Sequence, residues 1–307
     1  MSDLSNLNER SLIERILPSY KMRKSLQFIT LMIPALVIFT VGLIVPMFMA
    51  LDISFTSWSG FTDERPFVGL ENYTRLINER DVRNAWSFTI RFTIWNTIIQ
   101  NVFALLFALA LDSAIKFKKV FRTIFFIPCL ISPLIVGFVW TRIFGNVLPA
   151  LVRAIGLDIN VMLLGHPDTV LSGLLTANNW QWIGYWMMIY LAALQTIPTG
   201  LYEAARVDGA NAIRRFFHIT IPMLAPAFTI CIVGITIGSL RLYDLLIAST
   251  GGGPGRSSTS IILHTFNAAI SGRQYGYGMA LTMSLIFVLL IIAVFQILVL
   301  KRREVQL

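Results

Sequence analysis

Charge is scarce in this sequence. Asp, Glu, Lys and Arg make up 13% of its 307 residues, against about a quarter in an ordinary soluble domain. Water is therefore not the main solvent for the folded chain. Cysteine is scarcer still: Cys129 and Cys231 are the only two, both within apolar runs and neither with a neighbour at metal-ligand spacing. That excludes a disulfide framework and a cysteine metal site, and both thiols read as small core residues. The three histidines are scattered, which leaves no metal motif. A phosphate-binding loop is also missing. "GGGPGRSS" at 251–258 lacks the lysine that reaches the phosphates and contains Pro254. No nucleophile stands paired with a base, so an intramembrane enzyme has no support.

Apolar side chains are abundant, at 56% of the chain. Runs of about 20 such residues cross a hydrocarbon core of roughly 30 Å as helices. Six stretches qualify, at about 26–50, 87–111, 120–143, 171–197, 219–248 and 279–300. Lipid offers no partner to a free backbone amide, so the expected fold is an all-α polytopic membrane protein with six transmembrane helices. The first run lies behind about 25 mostly polar residues and is too long for a signal-peptide core, so it is expected to be retained.

The net charge is +9, and its placement carries information. Lys21, Arg23 and Lys24, then Lys116, Lys118, Lys119 and Arg122, then Arg206, Arg214 and Arg215, then Lys301, Arg302 and Arg303 stand beside alternate span ends. The other connections mix Arg65, Arg80 and Arg83 with Asp63, Glu64, Glu79 and Asp81. By the positive-inside rule both termini and residues 202–226 are cytoplasmic. A membrane explains the basic residues, and no nucleic-acid partner is expected. The chain then divides into a cytoplasmic arm (1–25), a first helix with its external connection (26–86), a five-helix core (87–300) and a short cytoplasmic tail (301–307). In the external connection, "FVGLENYTRLI" at 67–77 has the spacing of a short surface helix.

One cytoplasmic connection is unusual. "YEAARVDGANAIRRFFHITIPMLAP" at 202–226 interrupts the apolar sequence with charge and a glycine break. Pro198 and Thr199 mark a helix start, and Glu203 sits near that start, where the helix dipole favours a negative charge. Asp208-Gly209 ends the helix. A second short helix is expected over 210–217 before Pro222 leads back to the membrane. The product is a projecting helix–turn–helix whose alanines permit close approach by a partner. The residues alone also fit an ordinary amphipathic connection.

"EAARVDGA", followed by Phe216 and "ITIP" at 219–222, resembles the EAA signature of ATP-binding-cassette importer permeases. The wider sequence is similar to the carbohydrate-uptake branch, the relatives of the maltose and glycerol-3-phosphate permeases. "FVGLENY" at 67–73 and "YDLLIASTGGGPGRSST" at 243–259 agree with it, the second pointing to the first permease of a pair. The resemblance implies a type I importer fold, with residues 199–222 as a coupling loop seated in a cytoplasmic ATPase. Carried over by position, Glu203, Ala204, Ala205, Asp208, Gly209 and Ala210 would make that contact. It also implies a second permease chain, an ATPase dimer that binds ATP and Mg, an extracytoplasmic solute-binding protein and a sugar or polyol substrate. This chain would bind no cofactor itself.

Polar side chains at membrane depth are candidate pathway residues. Gln100 and Asn101 lie mid-span in the second run, with Asn96 stacked under Gln100; interhelical hydrogen bonding is the alternative reading. Arg241 and Asp244 are expected on one helix face, where they could pair. Tyr243 could lie against a sugar ring or in the core. "NNWQWIGYW" at 178–186 contributes Asn179 and puts Trp182, Tyr185 and Trp186 on one face, which suits sugar stacking or an interfacial aromatic belt. Trp180 fits the belt. An ion-coupled transporter of a small polar solute is the competing function, but Asp244 is the only clear acidic residue well inside a run.

Overall fold

The computed structural model describes residues 20–113, 116–156 and 162–301. Most of the N-terminal arm, together with Arg302 and Arg303, lies outside the described residues. The chain forms two compact units, residues 1–53 and 54–307.

The described part of the first unit is a nearly continuous helix. Helix α1 (Tyr20–Phe39) passes through a π-helical turn at Thr40–Ile44 into α2 (Val45–Ile53). Pro46 has no N–H to donate to the carbonyl four residues back, and the widened turn immediately before it absorbs that defect. Residues Phe28–Ile53 are long and apolar enough to cross a membrane.

The second unit begins with the connection at 54–79, where Thr56 forms an isolated antiparallel bridge with Phe67. The short helix expected there is α3 (Glu71–Asn78). Asn72 anchors it by donating from Nδ2 to the carbonyls of Ser54 at 2.8 Å and Thr56 at 2.9 Å. Helix α4 (Arg80–Asp112) follows and is 33 residues long. The next expected span, 120–143, is not a single helix. Helix α5 (Lys118–Phe126) ends in a 3-10 turn at Ile127–Leu130, and α6 (Pro133–Arg142) runs through a π-helical turn into α7 (Leu148–Ala154). Pro128 and Pro133 remove two backbone donors in six residues. Gln181 repairs part of the break by donating to the freed carbonyl of Ile131 at 2.7 Å.

Helix α8 (Val170–Leu194) leads to α9 (Thr199–Val207) and α10 (Ala212–Arg215); a π-helical turn, α11 (Ile221–Met223) and α12 (Ala225–Leu240) come next. The chain bends by 65° between Ala212–Met223 and Ala225–Leu240. Helices α13 (Asp244–Ser249) and α14 (Ile261–Phe266) precede the last, α15 (Tyr275–Lys301). The run 219–248 is therefore divided at Leu224 and again at Arg241–Tyr243. Arg241 stands in the second break and Asp244 opens the helix after it, so the two do not share a helix face, and no ion pair joins them among the described residues.

Four helical segments are long and apolar enough to cross a membrane, or five if the bent pair is one span. Helix α8 has the length, but Asn178, Asn179 and Gln181 dilute its apolar character. Since lipid is as apolar as leucine, helices there associate through small residues and interhelical hydrogen bonds. Helix α4 supplies Ala104 and Ala108, one turn apart and fully buried, against Met187, Tyr190, Leu191 and Leu194 of α8. The two helices run in the same direction: Asn96 of α4 bonds to Asn179 of α8, and Asn101, farther along α4, bonds to Tyr190, farther along α8. At Gly184 the α8 backbone touches that of Phe125, and an added Cβ would fall on the Phe125 carbonyl oxygen.

Candidate functional site

Residues 198–224 form a hydrogen-bonded projection of short helices. Pro198 caps α9 with extended backbone and Thr199 is its first residue, without a side-chain capping bond. The helix stops in a Schellman turn: Gly209 N–H donates to Arg206 O at 3.0 Å, and Ala210 N–H to Ala205 O at 2.9 Å. That closure requires left-handed backbone, and Gly209 adopts φ +75°. Asn211 then caps α10 by accepting from the N–H of Arg214 at 2.8 Å. The second helix is shorter than the expected 210–217, because the backbone widens into a π-helical turn from Phe216 to Thr220.

Two contacts tie the projection to the bundle. Tyr202 and Thr220 share a hydrogen bond of 3.0 Å across the loop. Tyr202, Ile219 and Met223 pack onto the core formed by Leu194, Ile197 and Leu224, so displacement of the loop acts directly on α8 and α12. Of the residues assigned to coupling, Glu203, Ala204, Asp208 and Gly209 are exposed, while Ala205 and Ala210 are half-buried. Sequence reasoning missed the apolar rim around them. Val207 is 89% exposed, Ile213 70% and Phe217 61%. These three side chains are available for a partner to cover. Their signal, isolated apolar residues in a charged loop, was present in the sequence.

A polar layer crosses the bundle interior. Asn179 donates to Asn96 Oδ1 at 3.1 Å and to Leu175 O at 2.7 Å, and Asn96 donates to Ser239 Oγ at 2.7 Å. Asn101 accepts from Tyr190 OH at 2.6 Å, and Gln100 donates to Asn178 Oδ1 at 3.0 Å. Such bonds contribute about 0.6 kcal/mol each in a bilayer, so the layer aligns helices more than it stabilises them.

Beside it lies a cavity of about 230 Å³ between α4, α8, α12 and α13. Gln100, Trp182, Tyr243 and Asp244 line it together, as do Asn96, Asn178, Trp186 and Arg241. Asn101, Asn179 and Tyr185 do not. Tyr190 holds Asn101, Asn96 holds Asn179, and Tyr185 lies edge-on to Trp182 and Trp186 on a half-exposed face. Tyr243 also packs against Phe266, with ring centres 5.3 Å apart. Trp180 stands apart, edge-on to Trp140.

At the far end of α12 and α13, the Thr250–Gly255 loop borders a second cavity of about 600 Å³ with Arg75, Glu79, Asp81, Arg256, His264 and Tyr277. Glu79 accepts from Arg75 at 3.1 Å and from Tyr277 OH at 2.6 Å, and Arg256 is paired with Asp81. His264 is largely buried; its Nε2 lies 4.0 Å from Glu79 and has no hydrogen-bond partner. Burial pushes its pKa below 6.5, aided by Arg256 and Arg75 and opposed by Glu79 and Asp81. A histidine kept neutral stabilises the fold above its ordinary pKa, and that stability is lost as pH falls below 6.5 toward the depressed value. The thermal midpoint of the purified protein should therefore drop on acidification through that range, and His264→Gln should flatten the drop. Among the described residues no three His, Cys, Asp or Glu side chains come together as a metal site would require.

Long apolar helices around a cavity that mixes aromatic and polar side chains, with a two-helix projection at one end, suit a membrane-embedded permease. The chain belongs to the family described as binding-protein-dependent transport system inner membrane component, whose profile matches residues 100–303, the ATP-binding-cassette permease family that the 203–210 motif resembles. It is 32% identical over 273 residues to a probable starch degradation products transport system permease protein of Thermoanaerobacterium thermosulfurigenes, covering 89% of this chain and 93% of that one. It is likewise 32% identical to a multiple sugar-binding transport system permease protein of Streptococcus mutans, with 90% and 96% covered. Identity is 33% to a trehalose/maltose transport system permease protein of Thermococcus litoralis, with 85% and 88% covered. Among solved structures, a bacterial ABC transporter involved in import of the acidic polysaccharide alginate shares the fold, with a TM-score of 0.79 at 22% identity over 92% of this chain and 97% of that one.

Proposed function

We propose that this chain is one of two permease subunits of an ATP-binding-cassette importer for a sugar or related polyol, embedded as six spans in a bacterial inner membrane. Both termini and residues 199–222 face the cytoplasm. Glu203 to Ala210, with the Val207–Ile213–Phe217 rim, seat in a cleft of a separate ATPase that binds ATP and Mg. The observation that carries this reading is the projection itself: a closed Schellman turn pinned by Tyr202–Thr220 and rooted in α8 and α12. A flexible connection would lose the ATPase's motion, whereas this one passes it to two of the helices that border the cavity.

The substrate class is supported by relatives named for starch products, multiple sugars and trehalose or maltose. The cavity suits it chemically, since Trp182, Trp186 and Tyr243 offer ring faces, and Gln100, Arg241 and Asp244 offer partners for hydroxyls. At about 230 Å³ it falls below the roughly 300–1,000 Å³ of complete small-molecule sites, as befits half of a pathway completed by a second permease. A structural neighbour is a transporter in complex with an alginate pentasaccharide-bound periplasmic protein; here the Thr250–Gly255 end would meet the corresponding solute-binding protein.

The test is substrate-stimulated ATPase activity of the reconstituted complex. Trp182→Ala and Asp244→Asn should each lower the stimulation by roughly tenfold, the loss of one good contact. Tyr185→Ala, outside the cavity, should leave it near the wild-type value. Equal stimulation in all three would remove the cavity from the pathway.

A further inference from the structure

We infer that residues 116–124 form a binding site for anionic phospholipid headgroups. Helices α4 and α8 run in parallel, so the C-terminal end of α4 lies at the same end of the bundle as the 199–222 projection. Four cations follow there within seven positions: Lys116, Lys118, Lys119 and Arg122. None forms an ion pair with an acidic group among the described residues. Lys118 donates only to the backbone carbonyl of Asp112, at 3.2 Å, and the Nε of Arg122 is buried without a partner.

The apolar residues of this segment have the complementary arrangement. Phe117, Val120, Phe121 and Ile124 recur at i, i+3, i+4 and i+7 and are all exposed, Phe117 by 74%. The inward side of α5 is taken by Phe125, which stacks on Phe107 at 4.7 Å. An apolar outer stripe beside uncompensated cations is the pattern of a helix lying in the membrane interface. Lysine stems then run along the apolar surface while their ammonium groups reach the headgroups. Neutral headgroups would leave these cations uncompensated, whereas a phosphodiester with net negative charge satisfies them. The occupant is therefore an anionic phospholipid, and the site neighbours the segment through which ATPase motion enters the bundle.

The full complex of permeases and ATPase should be titrated in detergent with phosphatidylglycerol or phosphatidylcholine, and bound lipid counted by native mass spectrometry. The wild type should prefer phosphatidylglycerol, and raising salt from about 0.1 to 1 M should weaken that preference as screening shortens. The Lys116 and Lys119 side chains are exposed, and among the described residues neither ammonium group has a polar partner. Lys116→Gln/Lys119→Gln should thus lower phosphatidylglycerol binding by tenfold or more, at roughly fivefold per charge, and leave phosphatidylcholine unchanged. Lys116→Arg/Lys119→Arg should restore the preference. A wild-type preference insensitive to salt would overturn the inference, as would equal binding by the Gln variant. So would loss of the ATPase or the second permease from that variant, which would make the patch a protein interface.

Discussion

Gly209→Val should abolish ATP-coupled uptake while leaving the amount of protein in the membrane unchanged. Gly209 has φ +75° and closes the Schellman turn with Ala210. A residue with a side chain costs about 1–2 kcal/mol in that region, and a β-branched one is worse because its Cβ is crowded on both sides. No heavy atom beyond its chain neighbours lies within 4 Å of the added Cβ, so collision with the rest of the fold plays no part and the damage is confined to the local backbone. Strain of that size opens the bonds to Arg206 and Ala205 and redirects the chain at Asp208–Ala210, the residues proposed to contact the ATPase. The helices of the bundle are untouched. Gly209→Asn is the informative control: asparagine tolerates left-handed backbone far better and should retain most of the uptake. The measurement is uptake by vesicles normalised to membrane-inserted protein. Equal loss in both variants would shift the cause from backbone geometry to the side chain.

Gly184→Val should act on the opposite quantity, the amount of folded protein. Here backbone meets backbone. The position a Cβ would take coincides with the carbonyl oxygen of Phe125, and neither partner is a flexible side chain able to swing away. Overpacking costs about 1–3 kcal/mol where neighbours can yield, and this site belongs at or beyond the upper end. The shift would also pull α8 away from α5, carrying Gln181 off the carbonyl of Ile131. The extracted yield and thermal midpoint should both fall sharply, with Gly184→Ala intermediate. A wild-type midpoint for Gly184→Val would show that the α5–α8 approach is looser than described.

The contrast between these glycines shows what was legible in the sequence. Gly209 followed Asp208 in a charged loop, and that local chemistry announces a turn. Gly184 lies in an aromatic-rich helix, and only the fold reveals what it faces. The breaks in the chain divide in the same way. Pro128 and Pro133 mark the discontinuity at 127–132 within the sequence itself, because proline acts on its own backbone. The break at Arg241–Tyr243 has neither proline nor glycine in its three residues, so an uninterrupted helix was the natural reading and the Arg241–Asp244 pair followed from it. The polar residues of α4 and α8 were visible as membrane-depth amides. Which of them faced a cavity depended on helix rotation: Gln100 reaches it, while Asn101, next in the chain, is held by Tyr190. Asn178 lines the cavity and Asn179 does not, for the same reason. The apolar rim of the 199–222 projection was in plain view, but the charged residues beside it drew the interpretation toward the motif.

The central claim is that an ATPase on another chain drives this bundle through residues 199–222. The most direct measurement reconstitutes the permease pair into vesicles with the solute-binding protein outside and compares sugar accumulation under two driving forces. With the ATPase and ATP inside, accumulation should occur and should vanish in Gly209→Val; with an imposed proton or sodium gradient and no ATPase, there should be none. Accumulation driven by the ion gradient alone would contradict the account and point to ion coupling at Asp244.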